Sequence, residues 1–194
     1  MKQAETIYLA SKSPRRSEIL SLRGIRFSVA DSKADEKTGR MAPAAMVELL
    51  SKRKAEQAVI NKKQCVVIGS DTVVAFRGKI LGKPKDKEDA RRMLKMLSGN
   101  KSAVYTGVTV QVRGKDARTV TFHTKTEVLF DVLTDAEIDE YIATGDPMDK
   151  AGAYGIQGIF GRHIKSIRGD YYNVMGLPMN DLYKTLIEEK IIFI

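Results

Sequence analysis

Charged and polar side chains with catalytic potential cluster where small residues break the apolar pattern of the chain. These places are 11–16, 69–72 together with 82–86, and 145–158. Asp71 is the most informative residue among them, because it stands between the apolar runs CVVIGS and TVVAF. A carboxylate in such surroundings is costly unless it is paired, hydrogen-bonded or bound to a metal ion. We therefore predict a chemical role for Asp71, against the alternative of an aspartate that caps a turn.

Other charged residues could complete a site for a metal ion and for phosphates. Carboxylates suit Mg²⁺ and Mn²⁺, and Mg²⁺ usually takes one or two of them together with substrate phosphates. The candidate metal ligands are Asp71, Glu36 and Asp35. The side chains that could neutralise a triphosphate are Arg15, Arg16, Lys54 and Lys83. Pro14 suits the first turn of a helix. Arg15 and Arg16 therefore lie where a strand-to-helix turn offers free N–H groups to an anion.

Composition restricts the class of protein. The chain has 194 residues, of which 43% are hydrophobic and 29% charged, as in ordinary globular domains. One cysteine (Cys65) and two histidines (His123 and His163) exclude an internal disulfide and a multi-cysteine metal site. We interpret Cys65 as inert core and both histidines as surface residues of strands. The sequence contains no P-loop, no dinucleotide-binding glycine pattern and no nucleophile elbow.

The net charge of +9 attracts polyanions, which include nucleic acids, membrane surfaces and small phosphorylated molecules. The aromatic residues are not interleaved with basic ones, and no signature of a nucleic-acid-binding fold is present. No apolar run is long enough to span a membrane, and the first ten residues lack the apolar region of a signal peptide. We therefore expect a cytoplasmic protein that binds a small phosphorylated molecule and neither a nucleic-acid polymer nor a membrane.

Apolar periodicity predicts an α/β fold with a mixed sheet, because strands and helices alternate around one long hairpin. The segments 69–72 and 80–86 are predicted to interrupt this pattern as loops. The predicted strands are 6–10, 26–30, 65–76, 102–112, 118–130 and 163–167. The predicted helices are 14–22, 43–59, 87–97, a helix between a capping box at 134–137 and Gly145, and a final helix that ends at Glu189.

Eight segments of the chain, taken together and in this order, resemble the Maf family of nucleoside triphosphate pyrophosphatases, also called septum-formation proteins. The resemblance covers nearly the whole chain, and the set of segments is far more specific than any one of them. The segments are ASKSPRR (10–16), DE (35–36), KA (54–55), GSDTVV (69–74), LGKP (81–84), TGV (106–108), DKAGAYGIQG (149–158) and GDYYNVMGLP (169–178).

The resemblance implies an inosine-triphosphatase-like fold, in which an elongated mixed β-sheet with flanking helices forms two lobes around a central cleft. It implies a single domain over residues 1–194. It also implies hydrolysis of a nucleoside triphosphate to the monophosphate and pyrophosphate, with a divalent cation such as Mg²⁺ or Mn²⁺. The substrate expected from the resemblance is thus a small nucleotide.

Site residues follow from the same resemblance. Asp71 matches the family's proton acceptor for the attacking water, and Glu36 together with Asp71 is expected to bind the metal ion. The residues expected to bind phosphate are Ser11, Arg16, Lys54 and Lys83. The residues that match the positions of the branch specific for dTTP and UTP are Arg15, Thr72 and Gln157.

Two questions stay open at this point. The family name suggests an alternative function, a nucleotide-binding regulator of cell division with little physiological hydrolysis, which would use the same residues. The apolar C-terminal end IIFI suggests a homodimer contact, or else the last part of the core.

Overall fold

Residues 2–193 are described by a computed structural model, in which strands and helices alternate. The strands are β1 (Lys2–Gln3), β2 (Ile7–Ala10), β3 (Phe27–Val29), β4 (Cys65–Phe76), β5 (Lys79–Leu81), β6 (Lys101–Arg113), β7 (Arg118–Phe130), β8 (Ile164–Arg168) and β9 (Ile192–Phe193). The helices are α1 (Pro14–Leu22), α2 (Pro43–Glu56), α3 (Lys87–Leu97), α4 (Asp135–Ala143), α5 (Tyr171–Met175) and α6 (Met179–Glu188). Three short 3₁₀ turns cover Asp146–Asp149, Ala151–Ala153 and Ile159–His163.

The main sheet has seven strands and mixed direction, as the sequence predicts. Its order is β3-β2-β4-β6-β7-β8, with β5 paired to β4 outside this path. Strand β2 runs parallel to both β3 and β4, whereas β4 with β5 and β7 with β8 are antiparallel. A separate two-stranded sheet joins β1 to β9. The predicted α/β class with a mixed sheet and flanking helices is therefore confirmed.

The chain divides into two compact units. The first unit contains 1–71, 106–124 and 176–194, and the second contains 72–105 and 125–175. Strands β4, β6 and β7 each supply residues to both units, and within β4 the division falls directly after Asp71. Single-domain behaviour of residues 1–194 stays a prediction.

In the first unit, helix α2 lies unusually close to the strands beneath it, and two glycines allow the approach. A Cβ atom on Gly69 of β4 would be 2.1 Å from the carbonyl oxygen of Ser51. A Cβ atom on Gly107 of β6 would be 2.2 Å from the carbonyl oxygen of Val47. Real Cβ contacts are essentially never this short, so the helix backbone can rest there only because both residues lack a side chain. These two contacts fix the position of α2 on the sheet.

In the second unit, an aromatic and aliphatic core forms around α3 and α4. The ring of Phe130 meets the ring of Tyr154 edge to face at 4.8 Å, and Phe160 packs on Tyr141 at 4.7 Å. The predicted capping box at the start of α4 is present: the Thr134 hydroxyl accepts from the Glu137 N–H, and the Glu137 carboxylate accepts from the Thr134 N–H.

The predicted loop at 69–72 is wrong, and the predicted loop at 80–86 begins later, at Gly82. Residues 69–72 continue strand β4 without a break, because Gly69 seats α2 and the hydroxyl of Ser70 is hydrogen-bonded. Residues Ile80 and Leu81 belong to β5, which pairs with β4 across a tight turn at Arg77 and Gly78. At 69–72, small and polar residues thus mark close packing rather than a turn.

Two further expectations fail. Helix α2 ends at Glu56 and not at Val59, because Ala58 forms a β-bridge with Ser32 and the Val59 N–H donates to the carbonyl of Asp31. His163 is buried rather than on the surface of a strand, and its ring packs against the ring of Phe160.

The C-terminal end IIFI packs mainly into its own unit. Ile191 and Ile192 are buried, Phe193 is half exposed, and Ile194 lies outside the described residues. The homodimer stays a prediction, without support from this segment. No helix within residues 2–193 is both long and apolar enough to cross a membrane.

The reactivity of the Cys65 thiol tests how well the core of the first unit is shielded from solvent. The side chain has no exposed surface, and burial raises the pKa of its thiol. Because the thiolate is the reactive form, we expect native protein to react with a thiol reagent such as DTNB only through unfolding. Labelling rates of the protein in buffer and in urea check this expectation, with glutathione as the fully reactive control. Rapid labelling of the native protein would contradict it.

Candidate functional site

Three of the predicted site residues meet at one ammonium group in the first unit. The Nζ atom of Lys54 lies 2.6 Å from Oδ1 of Asp71 and 2.8 Å from Oε1 of Glu36. The side chains of Lys54 and Asp71 are only 15% and 13% exposed, whereas that of Glu36 is 66% exposed. Two carboxylates from distant parts of the chain thus converge on a shielded cation.

The fold explains this convergence. Asp71 lies in the middle of β4, and Lys54 lies in the last turn of α2, the helix held against β4 by Gly69. The irregular segment with Glu36 is held by Arg53, whose NH1 atom donates to the carbonyls of the residues on either side, at 3.1 and 2.8 Å. Helix α2 therefore provides both the shared ammonium and the support for the exposed carboxylate.

Asp35, the other candidate metal ligand, takes a different role. Its Oδ1 atom accepts a hydrogen bond from the backbone N–H of Lys37 at 2.9 Å, which is a local turn contact. The carboxylates on the Lys54 ammonium are those of Asp71 and Glu36. Of these two neighbouring residues, Glu36 therefore lies beside Asp71 at the Lys54 ammonium, whereas the contact of Asp35 is with the backbone of Lys37.

The strand-to-helix turn at 11–16 contributes a second, connected group. The buried guanidinium of Arg16 donates from Nε to the carbonyl of Gly176 at 2.7 Å and from NH1 to the hydroxyl of Ser11 at 3.0 Å. Burial lowers the pKa of Arg16, and the negative charge of Asp71 acts in the opposite direction. Arg15 is partly exposed on α1, and its positive charge also lowers the pKa of Arg16, so both arginines belong to this charged region.

The other predicted site residues belong to the second unit. Thr72 follows Asp71 in β4 and is partly buried, Lys83 is exposed in the segment between β5 and α3, and Gln157 is partly buried in the segment after Ala153. The last two segments are joined by a hydrogen bond from the N–H of Gly152 to the carbonyl of Gly82 at 2.9 Å.

Sequence reasoning missed two residues that hold the backbone near predicted site residues. The first is Ser70, whose buried hydroxyl donates to the carbonyl of Gly176 at 3.2 Å. The second is Lys150, only 10% exposed, which binds the carboxylates of Asp146 and Asp149 at 2.7 and 2.8 Å and so holds the segment before Gln157. A hydroxyl inside the apolar run CVVIGS was the available signal for Ser70, whereas the spacing around Lys150 gave none.

The donor set of Asp71 and Glu36 fits a hard divalent cation. Within residues 2–193, no three side chains of the types His, Cys, Asp and Glu come together in a group that could hold a metal ion alone. A pair of carboxylates is the usual protein contribution to a Mg²⁺ site that is completed by water and substrate phosphates. The residues present are therefore suited to a metal ion that arrives with a phosphorylated ligand.

Comparisons with known proteins agree with this architecture. The chain is 50% identical over 195 residues to a dTTP/UTP pyrophosphatase of Agathobacter rectalis, covering 93% of this chain and 95% of the relative. It is 47% identical over 181 residues to a dTTP/UTP pyrophosphatase of Bacillus pumilus, covering 93% and 94%. The solved structure of the Ham1 protein of Staphylococcus aureus shares the fold, with a TM-score of 0.53, 16% identity and coverage of 95% and 100%. The family model described as Maf-like protein matches residues 6–189, and the chain therefore belongs to the Maf family.

Proposed function

We propose that this protein is a nucleoside triphosphate pyrophosphatase that hydrolyses dTTP and UTP to the monophosphate and pyrophosphate. The observation that carries the proposal is the shielded carboxylate of Asp71, held by Lys54 beside Glu36, in a chain of the Maf family. The relatives at 50% and 47% identity carry the name dTTP/UTP pyrophosphatase, which supports the choice of substrate.

Asp71 is assigned as the general base. Lys54 donates a hydrogen bond to its Oδ1 atom, and we assign Oδ2 as the oxygen that accepts a proton from water. The strand backbone and the ammonium restrict the orientation of the carboxylate, and a base held in this way can direct a water molecule at the α-phosphorus. A pure binding protein would have no need of a carboxylate placed in this way.

Neutralisation of the negative charge of the triphosphate is assigned to the metal ion and to the polar and cationic side chains of the site. When a divalent cation is bound by Glu36 and Asp71, it supplies positive charge to the pyrophosphate leaving group. The side chains that we assign to the phosphates are Ser11, Arg16, Lys54 and Lys83. Arg16 offers a guanidinium charge for this task, and its orientation is fixed by hydrogen bonds from Nε to the Gly176 carbonyl and from NH1 to the Ser11 hydroxyl.

Selection of the pyrimidine is assigned to Arg15, Thr72 and Gln157. A glutamine amide offers one donor group and one acceptor, which matches the alternating acceptor and donor edge of uracil and thymine. Lys150 anchors the segment that precedes Gln157 through its ion pairs with Asp146 and Asp149.

Product analysis with a panel of triphosphates tests the proposal. We expect pyrophosphate and the nucleoside monophosphate from dTTP and UTP in the presence of Mg²⁺ or Mn²⁺, with much slower turnover of purine triphosphates. Release of orthophosphate would contradict the assigned bond cleavage. Tight nucleotide binding without any turnover would favour the nucleotide-binding regulator instead.

Replacement of Glu36 by glutamine should weaken the binding of the metal ion selectively. Loss of one carboxylate ligand lowers metal affinity, so we expect the Mg²⁺ concentration for half-maximal rate to rise about tenfold or more. Asp35→Asn is the matched control, because that carboxylate is adjacent in sequence but contacts only a local backbone N–H. Magnesium titrations of the initial rate check both variants; equal behaviour of the two would remove Glu36 from the metal site.

A further inference from the structure

The carbonyl oxygen of Gly176 joins three separate segments of the first unit. It accepts from Nε of Arg16 at 2.7 Å and from the hydroxyl of Ser70 at 3.2 Å. Both donors are buried, with relative exposures of 9% for Arg16 and 0% for Ser70. Gly176 has a φ of +110°, a backbone conformation that other residues rarely adopt. One oxygen thus connects the 11–16 turn, strand β4 and the segment before α6.

Ser70 acts at the position in β4 that matters most for the proposed reaction. It directly precedes Asp71, and successive side chains of a strand point to opposite faces. The backbone next to the assigned base is therefore held from two sides, by the hydroxyl of Ser70 on one face and by Lys54 on the carboxylate itself. We expect that removal of either contact leaves the strand in place but loosens the orientation of the carboxylate.

The energetics favour a role in positioning over a role in folding. Without the hydroxyl, the Gly176 carbonyl still accepts from Arg16, so no buried acceptor loses its last partner. Arg16 also keeps its contact with Ser11. The effect of losing the hydroxyl should therefore concentrate on strand β4 beside Asp71.

We propose that Ser70 is a positioning residue, which fixes the orientation of Asp71 through its hydrogen bond to the Gly176 carbonyl. This inference rests on the proposed pyrophosphatase function. It assigns no contact between Ser70 and the substrate, and it concerns the rate of the chemical step rather than the binding of nucleotide.

Steady-state kinetics of Ser70→Ala with UTP and Mg²⁺ test the inference. Because small misplacement of a reacting group costs a large factor in rate, we expect kcat to fall about 10- to 100-fold. KM should stay within about twofold of the wild-type value, since the phosphate-binding groups keep their contacts. Ser70→Thr, which retains a hydroxyl on the same strand, should recover most of the lost rate.

Ser102→Ala is the matched control, because Ser102 is also a buried strand serine, in β6 of the second unit, with its hydroxyl against that of Tyr154. Rates are expressed per folded molecule, with the folded fraction measured by urea unfolding of each variant. We expect Ser102→Ala to keep the wild-type kcat.

The possible results separate the two claims. A fully active Ser70→Ala variant, a raised KM with unchanged kcat, or an equal loss in Ser102→Ala would overturn the positioning role while leaving the pyrophosphatase function in place. Absence of turnover by the wild-type chain with every nucleotide tested would refute the proposed function, and the inference with it.

Discussion

Asp71→Asn is expected to lower kcat for UTP hydrolysis by about 10³-fold, near the middle of the range for loss of a general base. The amide keeps the shape of the side chain but cannot take a proton from water. Lys54 retains its ion pair with Glu36, so the substitution leaves no isolated buried charge and the fold should persist. Pyrophosphate release and urea unfolding of the variant and the wild type measure the two effects.

Asp31→Asn is the control for removal of one carboxylate from an ion pair. Asp31 pairs with Lys12 at 3.0 Å, but the two side chains are 68% and 80% exposed, so we expect almost no change in rate or stability. If Asp71→Asn retained a near-normal kcat, the assignment of the base would be wrong. If it unfolded the protein, the role of Asp71 would be chiefly structural.

Gly69→Ala should produce the largest effect on stability. The added methyl group would be 2.1 Å from the Ser51 carbonyl oxygen and 2.8 Å from the Ala55 nitrogen, both backbone atoms of α2 that cannot rotate away. We expect a loss of about 3 kcal/mol in the free energy of unfolding, at the upper end of the usual range for overpacking. Activity should also fall, because displacement of α2 draws Lys54 away from Asp71. Urea unfolding and the rate of pyrophosphate release check both expectations.

Two further glycine substitutions make this prediction specific. Gly107→Ala should repeat the effect, since its Cβ atom would be 2.2 Å from the carbonyl oxygen of Val47 in the same helix. Gly39→Ala should leave stability unchanged or raise it by up to about 1 kcal/mol, because the added methyl group would meet no atom within 4 Å and φ is ordinary. Equal stabilities for Gly69→Ala and Gly39→Ala would show that α2 does not depend on close contact with β4.

The periodicity of apolar residues was sufficient to predict the long elements. Strand β4 was predicted with its observed limits, Cys65–Phe76, and α3 likewise with Lys87–Leu97. Sequence reasoning failed inside β4, where Gly69 and Ser70 were interpreted as an interruption. Local propensity treats a glycine followed by a serine as a turn signal. In the folded chain, Gly69 allows the close approach of α2, and Ser70 donates to the carbonyl of Gly176. No local sequence pattern contains that information.

The candidate site likewise combines residues that the sequence predicts with contacts that depend on the fold. Asp71 could be singled out because a charged residue within an apolar run is conspicuous. Glu36 and Lys54 were two of several candidates on the basis of charge, and the resemblance to the Maf family selected them. The ammonium that joins the two carboxylates depends on the packing of α2 against β4, which only the structure describes. The link between Ser70 and Gly176 spans 106 positions in the chain, so it could not be derived from sequence spacing.

Hydrolysis of UTP in water enriched in oxygen-18 tests the central claim most directly. In the proposed mechanism, water attacks the α-phosphorus and Asp71 accepts its proton. We therefore expect mass spectrometry to find one labelled oxygen in the uridine monophosphate and none in the pyrophosphate after a single turnover. Label in the pyrophosphate, or formation of orthophosphate as the first product, would contradict the account.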